Sequence, residues 1–178
     1  EVVHGIPHPN KILHNGDIVS LDLGMKWPSR DRLYVDAAIT LPVGKINTEN
    51  QKLIEVCHTA LYQGISKIKS NGNIGDIGFT VQNFTEKNGF SVVKNLVGHG
   101  VGKKVHEEPM IPNWGKIGQG IKIKKGMVLA IEPMITLGKE KVVLDKNGWT
   151  WKTADKSFSA HFEHTILVTE NSAEILTK

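Results

Sequence analysis

The sequence has one cysteine, few aromatic residues and no long hydrophobic run. Cys57 alone cannot form an internal disulfide, which favours a reducing compartment such as the cytoplasm, and one thiolate is too few for a structural zinc site. We find no secretory leader and no apolar span of membrane-crossing length, so we expect no membrane partner. Aromatic residues make up 6% of the chain and do not alternate with its lysines, and the net charge is +4, so we expect no specific nucleic-acid partner.

Hydrophobic periodicity predicts one α+β domain that spans residues 1–178, since no linker or repeat divides the chain. A helix is expected from Thr48, which can cap it, along an apolar stripe that includes Cys57, and a second helix is expected from about Gly75 to Lys87. Between these helices and a curved antiparallel sheet lies the expected core. The predicted strands are 17–24, 33–41, 91–97, 127–135, 141–145, 149–153, 160–169 and 174–177, with a polar turn from Lys26 to Arg32 that contains Pro28 and Ser29.

Four carboxylates occur inside apolar strand-like runs, where an unpaired charge costs several kcal/mol or loses its charge. They are Asp22, Asp36, Glu132 and Glu163. Alternation along each strand places every one of them on the smaller or more polar face, opposite an apolar face that we expect to pack on helices. Four such residues in one small chain predict a shared cation.

Two histidines follow in the segment GHGVGKKVHEEP, at His99 and His106. Carboxylates and imidazole are ligands that suit Mn, Fe, Co or Zn. Two such ions about 3.5–4 Å apart can activate a water and polarise a carbonyl. A second histidine can then bind the oxyanion. The pattern therefore predicts a two-metal hydrolase.

The motifs that contain these residues resemble those of type I methionine aminopeptidases along nearly the whole chain. GHGVG followed by HEEP is typical of type I, and FEHT distinguishes the chain from the related proline-cleaving peptidases. The matching segments are VVHGIP (2–7), NGDIVSLDLG (15–24), VDAAITLPVG (35–44), VGHGVGKKVHEEPMIPN (97–113), GMVLAIEPMI (126–135) and SAHFEHTILVTE (159–170).

The resemblance implies the pita-bread (creatinase/aminopeptidase-like) fold, with helices on the outer face of the sheet, and removal of N-terminal methionine from peptides and nascent proteins. We expect a cytoplasmic protein, and association with the ribosome is kept open as a further partner. In this resemblance Asp36 and Glu163 bridge two metals, and Glu132 also carries a proton. The implied metal ligands are Asp22, Asp36, His99, Glu132 and Glu163, and the implied substrate contacts are His4, His106 and Trp149, of which the two histidines also stabilise the transition state.

Two departures from the family pattern accompany the resemblance. Asp22 and Asp36 are 14 positions apart, a wider spacing than expected, which makes Asp31 a rival ligand; the AAIT that follows Asp36 favours Asp36. The family's N-terminal segment, which forms part of its methionine pocket, precedes the point at which this sequence starts, so the domain is expected to be N-terminally truncated relative to the family.

Three other interpretations are kept beside the peptidase. The chain could be a non-catalytic or weakly active binding protein on the same fold, or an aminopeptidase directed at Xaa-Pro bonds. The glycines Gly98, Gly100 and Gly102 could form a nucleotide loop, which the lack of a strand–GxGxxG–helix unit disfavours. His161 is expected to support a ligand rather than to be one, and His164 is expected to be packed and hydrogen-bonded.

Overall fold

A computed structural model describes residues 1–27 and 32–178. Two helices lie between an N-terminal hairpin and a series of short strands. The helices are α1 (Thr48–Ile65) and α2 (Ile74–Lys87). The strands are β1 (Ile18–Trp27), β2 (Leu33–Pro42), β3 (Ser91–Val92), β4 (Val97–Gly100), β5 (Glu107–Pro112), β6 (Val128–Ile131), β7 (Met134–Thr136), β8 (Val142–Leu144), β9 (Trp151–Thr153), β10 (Ser159–His161), β11 (Glu163–Val168) and β12 (Ala173–Ile175).

The described strands form three antiparallel sheets. The largest has the order β1-β2-β11-β6-β4-β5, with β12 paired to β11; a second has the order β10-β7-β3; and β8 pairs with β9. The predicted α+β class and antiparallel sheet are confirmed. None of the helices in these residues is long and apolar enough to cross a membrane.

The hairpin of β1 and β2 is longer than predicted. Its ladder continues from Ile18↔Pro42 to Trp27↔Leu33 in one unbroken register, so Met25 extends the strand, and Lys26 and Trp27 belong to the strand and not to the predicted turn. Pro28, Ser29 and the rival ligand Asp31 lie outside the described residues.

Helix α1 begins one residue after its cap. The cap is Asn47 and not Thr48: the side chain of Asn47 accepts a hydrogen bond from the amide of Asn50 at 2.7 Å, which satisfies one of the free amides of the first turn. The predicted apolar stripe of α1 is buried. With α2 it covers the apolar face of the central strands, in a core that includes Leu53, Cys57, Leu61, Ile77, Leu129, Ile131, Ile135 and Ile166.

The two predicted strands 127–135 and 160–169 are each interrupted once. The first divides into β6 and β7 at Glu132 and Pro133, and the second into β10 and β11 at Phe162. The same register nevertheless continues across both interruptions, from Ile131↔His164 on one side to Met134↔His161 on the other. The two strands therefore run as one long pair that passes from the large sheet into the second sheet.

Helices do not cover the apolar face of the β1–β2 hairpin, contrary to the prediction. That face is uniformly apolar by register, but Leu23 is 72% exposed and Trp27 is 71% exposed. Helices α1 and α2 lie instead over the strands that follow them in the chain. The exposed members of this face are Leu21, Leu23, Met25, Trp27, Leu33, Ile39 and Leu41.

Candidate metal centre

Strand register brings three of the four carboxylates into one row across the sheet. Glu132 falls opposite Glu163, because it lies between the paired positions Ile131↔His164 and Met134↔His161. Glu163 pairs with Ala38, and Ala38 pairs with Asp22. Paired residues of neighbouring strands point to the same face, so these side chains converge on one side of the sheet. Ala38, which stands between two of the carboxylates, leaves space for them.

The adjacent row contributes the remaining carboxylate and a histidine. His99 of β4 pairs with Ala130, and Ala130 pairs with Thr165. Continuing the β2–β11 register puts Thr165 opposite Asp36, and Asp36 pairs with Gly24. Asp36 is therefore a diagonal neighbour of both Asp22 and Glu163, which explains how a spacing of 14 positions still places the two aspartates together.

The side chains of these two rows, together with His106 from the segment between β4 and β5, form three groups in which one ligand atom from each residue lies within 4.8 Å of the others. One group is Asp22, Asp36 and Glu163; a second is His99, Glu132 and Glu163; a third is Asp36, His99 and His106. Glu163, Asp36 and His99 each belong to two groups. The geometry thus brings together all five predicted ligands, and the two predicted bridging residues are among the three that the groups share.

Two of the carboxylates, those of Asp36 and Glu163, are buried beside other carboxylates, an arrangement that a cation would stabilise. Glu163 is 2% exposed, and its Oε1 has no hydrogen-bond partner among the described residues. Burial, followed by the charges of Glu132, Asp36 and Asp22, raises the pKa of Glu163 well above its usual range. Burial and the charge of Asp22 likewise raise the pKa of Asp36. A divalent ion would compensate these charges and coordinate the free oxygen, so the donor set fits such an ion.

His99 is oriented as a ligand by its own backbone neighbour. Its Nδ1 donates to the carbonyl of Gly100 at 2.9 Å, which leaves the lone pair of Nε2 free. That Nε2 lies 3.3 Å from Oε1 of Glu132. Two lone pairs that face each other at this distance are stabilised by a cation between them. A histidine held through its second nitrogen is the usual arrangement of a metal ligand.

Side chains that sequence reasoning did not single out hold these residues in place. The hydroxyl of Thr165 accepts from the amide of Asp36 and donates to its carbonyl, both at 2.8 Å. The buried side chain of Asn113 donates to the carbonyl of Glu132 at 2.9 Å, at the strand interruption. The sequence offers only a weak signal for them, since a threonine on a strand or an asparagine in a loop is ordinary.

Of the predicted substrate residues, His106 belongs to the third ligand group, and His4 lies beside Trp149. His106 is exposed, and its ring centroid is 4.4 Å from that of His99. Partial burial and the nearby His99 lower the pKa of His106, which favours the neutral ring. His4 is anchored by its carbonyl, which accepts from Thr150 Oγ1 at 3.0 Å, and its ring centroid lies 5.4 Å from that of Trp149.

Comparison with known proteins agrees with this geometry. The model of metallopeptidase family M24 matches residues 1–170. The chain therefore belongs to metallopeptidase family M24. Within that family, the relatives that match it along nearly its whole length are methionine aminopeptidases, so the predicted resemblance and pita-bread fold are confirmed.

Three relatives illustrate the match. Methionine aminopeptidase B of Synechocystis is 43% identical over 99% of this chain and 63% of its own length. Methionine aminopeptidase 1 of Bacillus subtilis is 43% identical over 100% of this chain and 70% of its own. The crystal structure of methionine aminopeptidase from Thermotoga maritima superposes with a TM-score of 0.96 at 48% identity, again over 100% of this chain and 70% of that one.

A more distant solved structure shares the fold. Prolidase from Pyrococcus furiosus superposes with a TM-score of 0.75 at 26% identity, over 95% of this chain and 43% of that one. The chain thus spans about two thirds of the length of its methionine aminopeptidase relatives and less than half of the prolidase.

Proposed function

We propose that the chain is a cytoplasmic metal-dependent aminopeptidase that removes N-terminal methionine from peptides and nascent proteins. The observation that carries the proposal is the pair of overlapping ligand groups that share Glu163. The names of the relatives that match 99–100% of the chain support methionine as the residue removed.

Two divalent ions, of Mn, Fe, Co or Zn, fit the donor set. Asp22, Asp36 and Glu163 would hold one, and His99, Glu132 and Glu163 the other, with Asp36 shared between them. When bound, such ions lower the pKa of a water and polarise a peptide carbonyl.

The remaining side chains act on the substrate and on protons. The neutral ring of His106 donates a hydrogen bond to the peptide carbonyl oxygen as that oxygen gains negative charge. Glu132 accepts a proton from the attacking water and passes it to the leaving amine. His4 contacts the substrate, and the exposed ring of Trp149 beside it forms a flat apolar wall that suits a thioether.

The first test is release of methionine from Met-Ala-Ser with added Mn or Co, compared with an Asp36→Asn variant. Because Asp36 belongs to two ligand groups, the variant is expected to lose more in rate than the roughly 10- to 100-fold that follows removal of an outer partner of a metal ligand. Bound metal is counted in both proteins, so that loss of the ion is separated from loss of the chemistry.

Two results would favour other functions. A chain that binds two ions but releases no methionine would favour a non-catalytic binding protein, for which association with the ribosome would then be measured directly. Preferential cleavage of Xaa-Pro peptides would favour the activity named for the solved prolidase, whose fold this chain shares.

A further inference from the structure

A buried histidine lies beside the candidate metal centre without belonging to any of its three ligand groups. His161 of β10 is 1% exposed, and neither ring nitrogen has a hydrogen-bond partner in the part of the chain that the structure describes. A buried polar side chain with no partner is uncommon in native proteins and requires an explanation. Its Nε2 lies 3.4 Å from Oε2 of Glu132, just beyond ordinary hydrogen-bond length.

The backbone of His161 is fixed at this position. Its amide donates to Thr40 Oγ1 and its carbonyl accepts from the same hydroxyl, both at 2.8 Å. Strand register places His161 opposite Met134 and two residues before Glu163, hence diagonal to Glu132 on the face that carries the carboxylates. The ring therefore reaches Glu132 from the side of the second sheet, opposite to His99.

His99 and His161 each face a different oxygen of the Glu132 carboxylate. Oε1 of Glu132 faces Nε2 of His99 at 3.3 Å, and Oε2 faces Nε2 of His161 at 3.4 Å. The Nε2 of His99 has no proton to give, because its Nδ1 donates to Gly100. No such bond constrains His161 among the described residues, so its proton can occupy Nε2 and point at Oε2.

We propose that His161 is a positioning residue for Glu132. Its Nε2–H donates to Oε2 and holds the carboxylate so that Oε1 faces Nε2 of His99, where the two groups would together hold an ion. The inference rests on the proposed function only in assuming a metal at this centre. Outer partners of this kind fix the orientation of a ligand, and their loss typically weakens metal binding by roughly 10- to 100-fold.

The test compares His161→Gln with His161→Met, two side chains of similar length of which only glutamine keeps an N–H donor. Cobalt(II) affinity is measured by titration calorimetry, and the geometry of the site by the visible absorption of the cobalt-loaded protein. We expect His161→Met to bind cobalt roughly 10- to 100-fold more weakly with a changed spectrum, and His161→Gln to recover most of the affinity and the wild-type bands.

A purely structural role would give a different result. It would lower the thermal stability of the metal-free chain and weaken cobalt binding in both variants alike, because the N–H donor of glutamine would then bring no recovery. The proposal is overturned if His161→Met binds cobalt like the wild type, or if His161→Gln is as weak as His161→Met.

The wild-type chain provides a measurement that does not depend on either variant folding. In the zinc-loaded protein, a long-range ¹H–¹⁵N spectrum is expected to show the proton of His161 on Nε2; a proton on Nδ1 would overturn the proposal. None of these measurements depends on peptide cleavage. A chain that binds metal but releases no methionine would therefore contradict the proposed function and leave the role of His161 standing.

Discussion

At the scale of single residues, Glu163 is the carboxylate whose charge is most disfavoured in the metal-free site, because it is buried beside Glu132, Asp36 and Asp22. Glu163→Gln removes a charge from a buried carboxylate cluster, so we expect a higher Tm in chelator at pH 8, by about 2–4 °C for each kcal/mol relieved. With excess metal we expect the wild type to have the higher Tm of the two. Wild type should gain about 2.7 kcal/mol at 100 times the Kd, and the variant should gain little.

The sign of the pH dependence follows from the raised pKa of Glu163. Its folded-state pKa exceeds the unfolded value, so the neutral carboxyl stabilises the metal-free chain fully below the usual glutamate range, and that contribution is lost as pH rises through the folded-state pKa. The gain from Glu163→Gln should thus be small at pH 4.5 and larger at pH 8. The control is Glu174→Gln, at the exposed Glu174 of β12. If Glu163→Gln raised the Tm equally at both pH values, the raised pKa of Glu163 would not be the cause.

The acidic residues could be predicted from the sequence because each one breaks a local rule. A carboxylate inside an apolar strand is costly where that strand is buried, as at Asp36 and Glu163, and alternation along a strand fixes the face on which it points. Asn113 and Thr165 break no such rule. Their roles depend on which backbone groups lie opposite them, and that is decided by pairing between distant segments.

At the scale of elements, β4 tolerates no side chain at the two glycines that flank His99. A Cβ on Gly98 would lie 2.4 Å from the carbonyl oxygen of Ala130, and one on Gly100 would lie 2.2 Å from that of Glu108. Both oxygens belong to the backbone of neighbouring chain segments, so neither can move without opening the sheet. These glycines serve close packing beside a metal ligand, and β5 follows them where a nucleotide loop would require a helix.

We therefore expect Gly98→Ala to destabilise the chain by about 1–3 kcal/mol or more and to weaken metal binding by displacing His99. The control is Gly24→Ala in β1, where the closest atom to the new Cβ is Asp36 Oδ1 at 3.7 Å, an ordinary contact. Denaturant unfolding of the metal-free proteins measures the difference. Equal stability of the two variants would show that β4 can shift to accept a side chain.

The sequence predicted elements well where periodicity was long and poorly where it was short. Both helices and the β1–β2 hairpin occur where the pattern placed them, with shifts of a few residues at the ends. Strand β5 was missed because its sequence, EEPMIP, contains two prolines and two glutamates, which is unlike a strand. It forms because it pairs with β4 and packs on α2, and neither contact is local.

At the scale of the whole molecule, the uncovered face of the β1–β2 hairpin is a hydrophobic surface. Seven large apolar side chains of this face are at least 40% exposed, a concentration that favours self-association. We expect these 178 residues to associate as concentration rises and Leu23→Lys to reduce the effect. Sedimentation velocity over a concentration series measures it.

The matched control is Ile117→Lys, since Ile117 is 68% exposed but lies apart from the hairpin. If both lysine variants reduce association equally, added charge is responsible and the hairpin face is not. The sequence identified this face as apolar but could not show that it is uncovered. Apolar alternation indicates that a face should be buried, and which segment buries it is a property of the assembled fold.

The interruption shared by the two long strands has a mechanical consequence. Glu132 and Glu163 stand opposite each other where the pair leaves the large sheet, and Phe162 and Pro133 meet there through a single long bond of 3.4 Å. The two sheets meet here, and the hydrogen bonding between the paired strands is weakest at this point. Ions held by both glutamates would cross-link the two strands at this point. The atoms proposed for chemistry would then also set the stiffness of the strands around them.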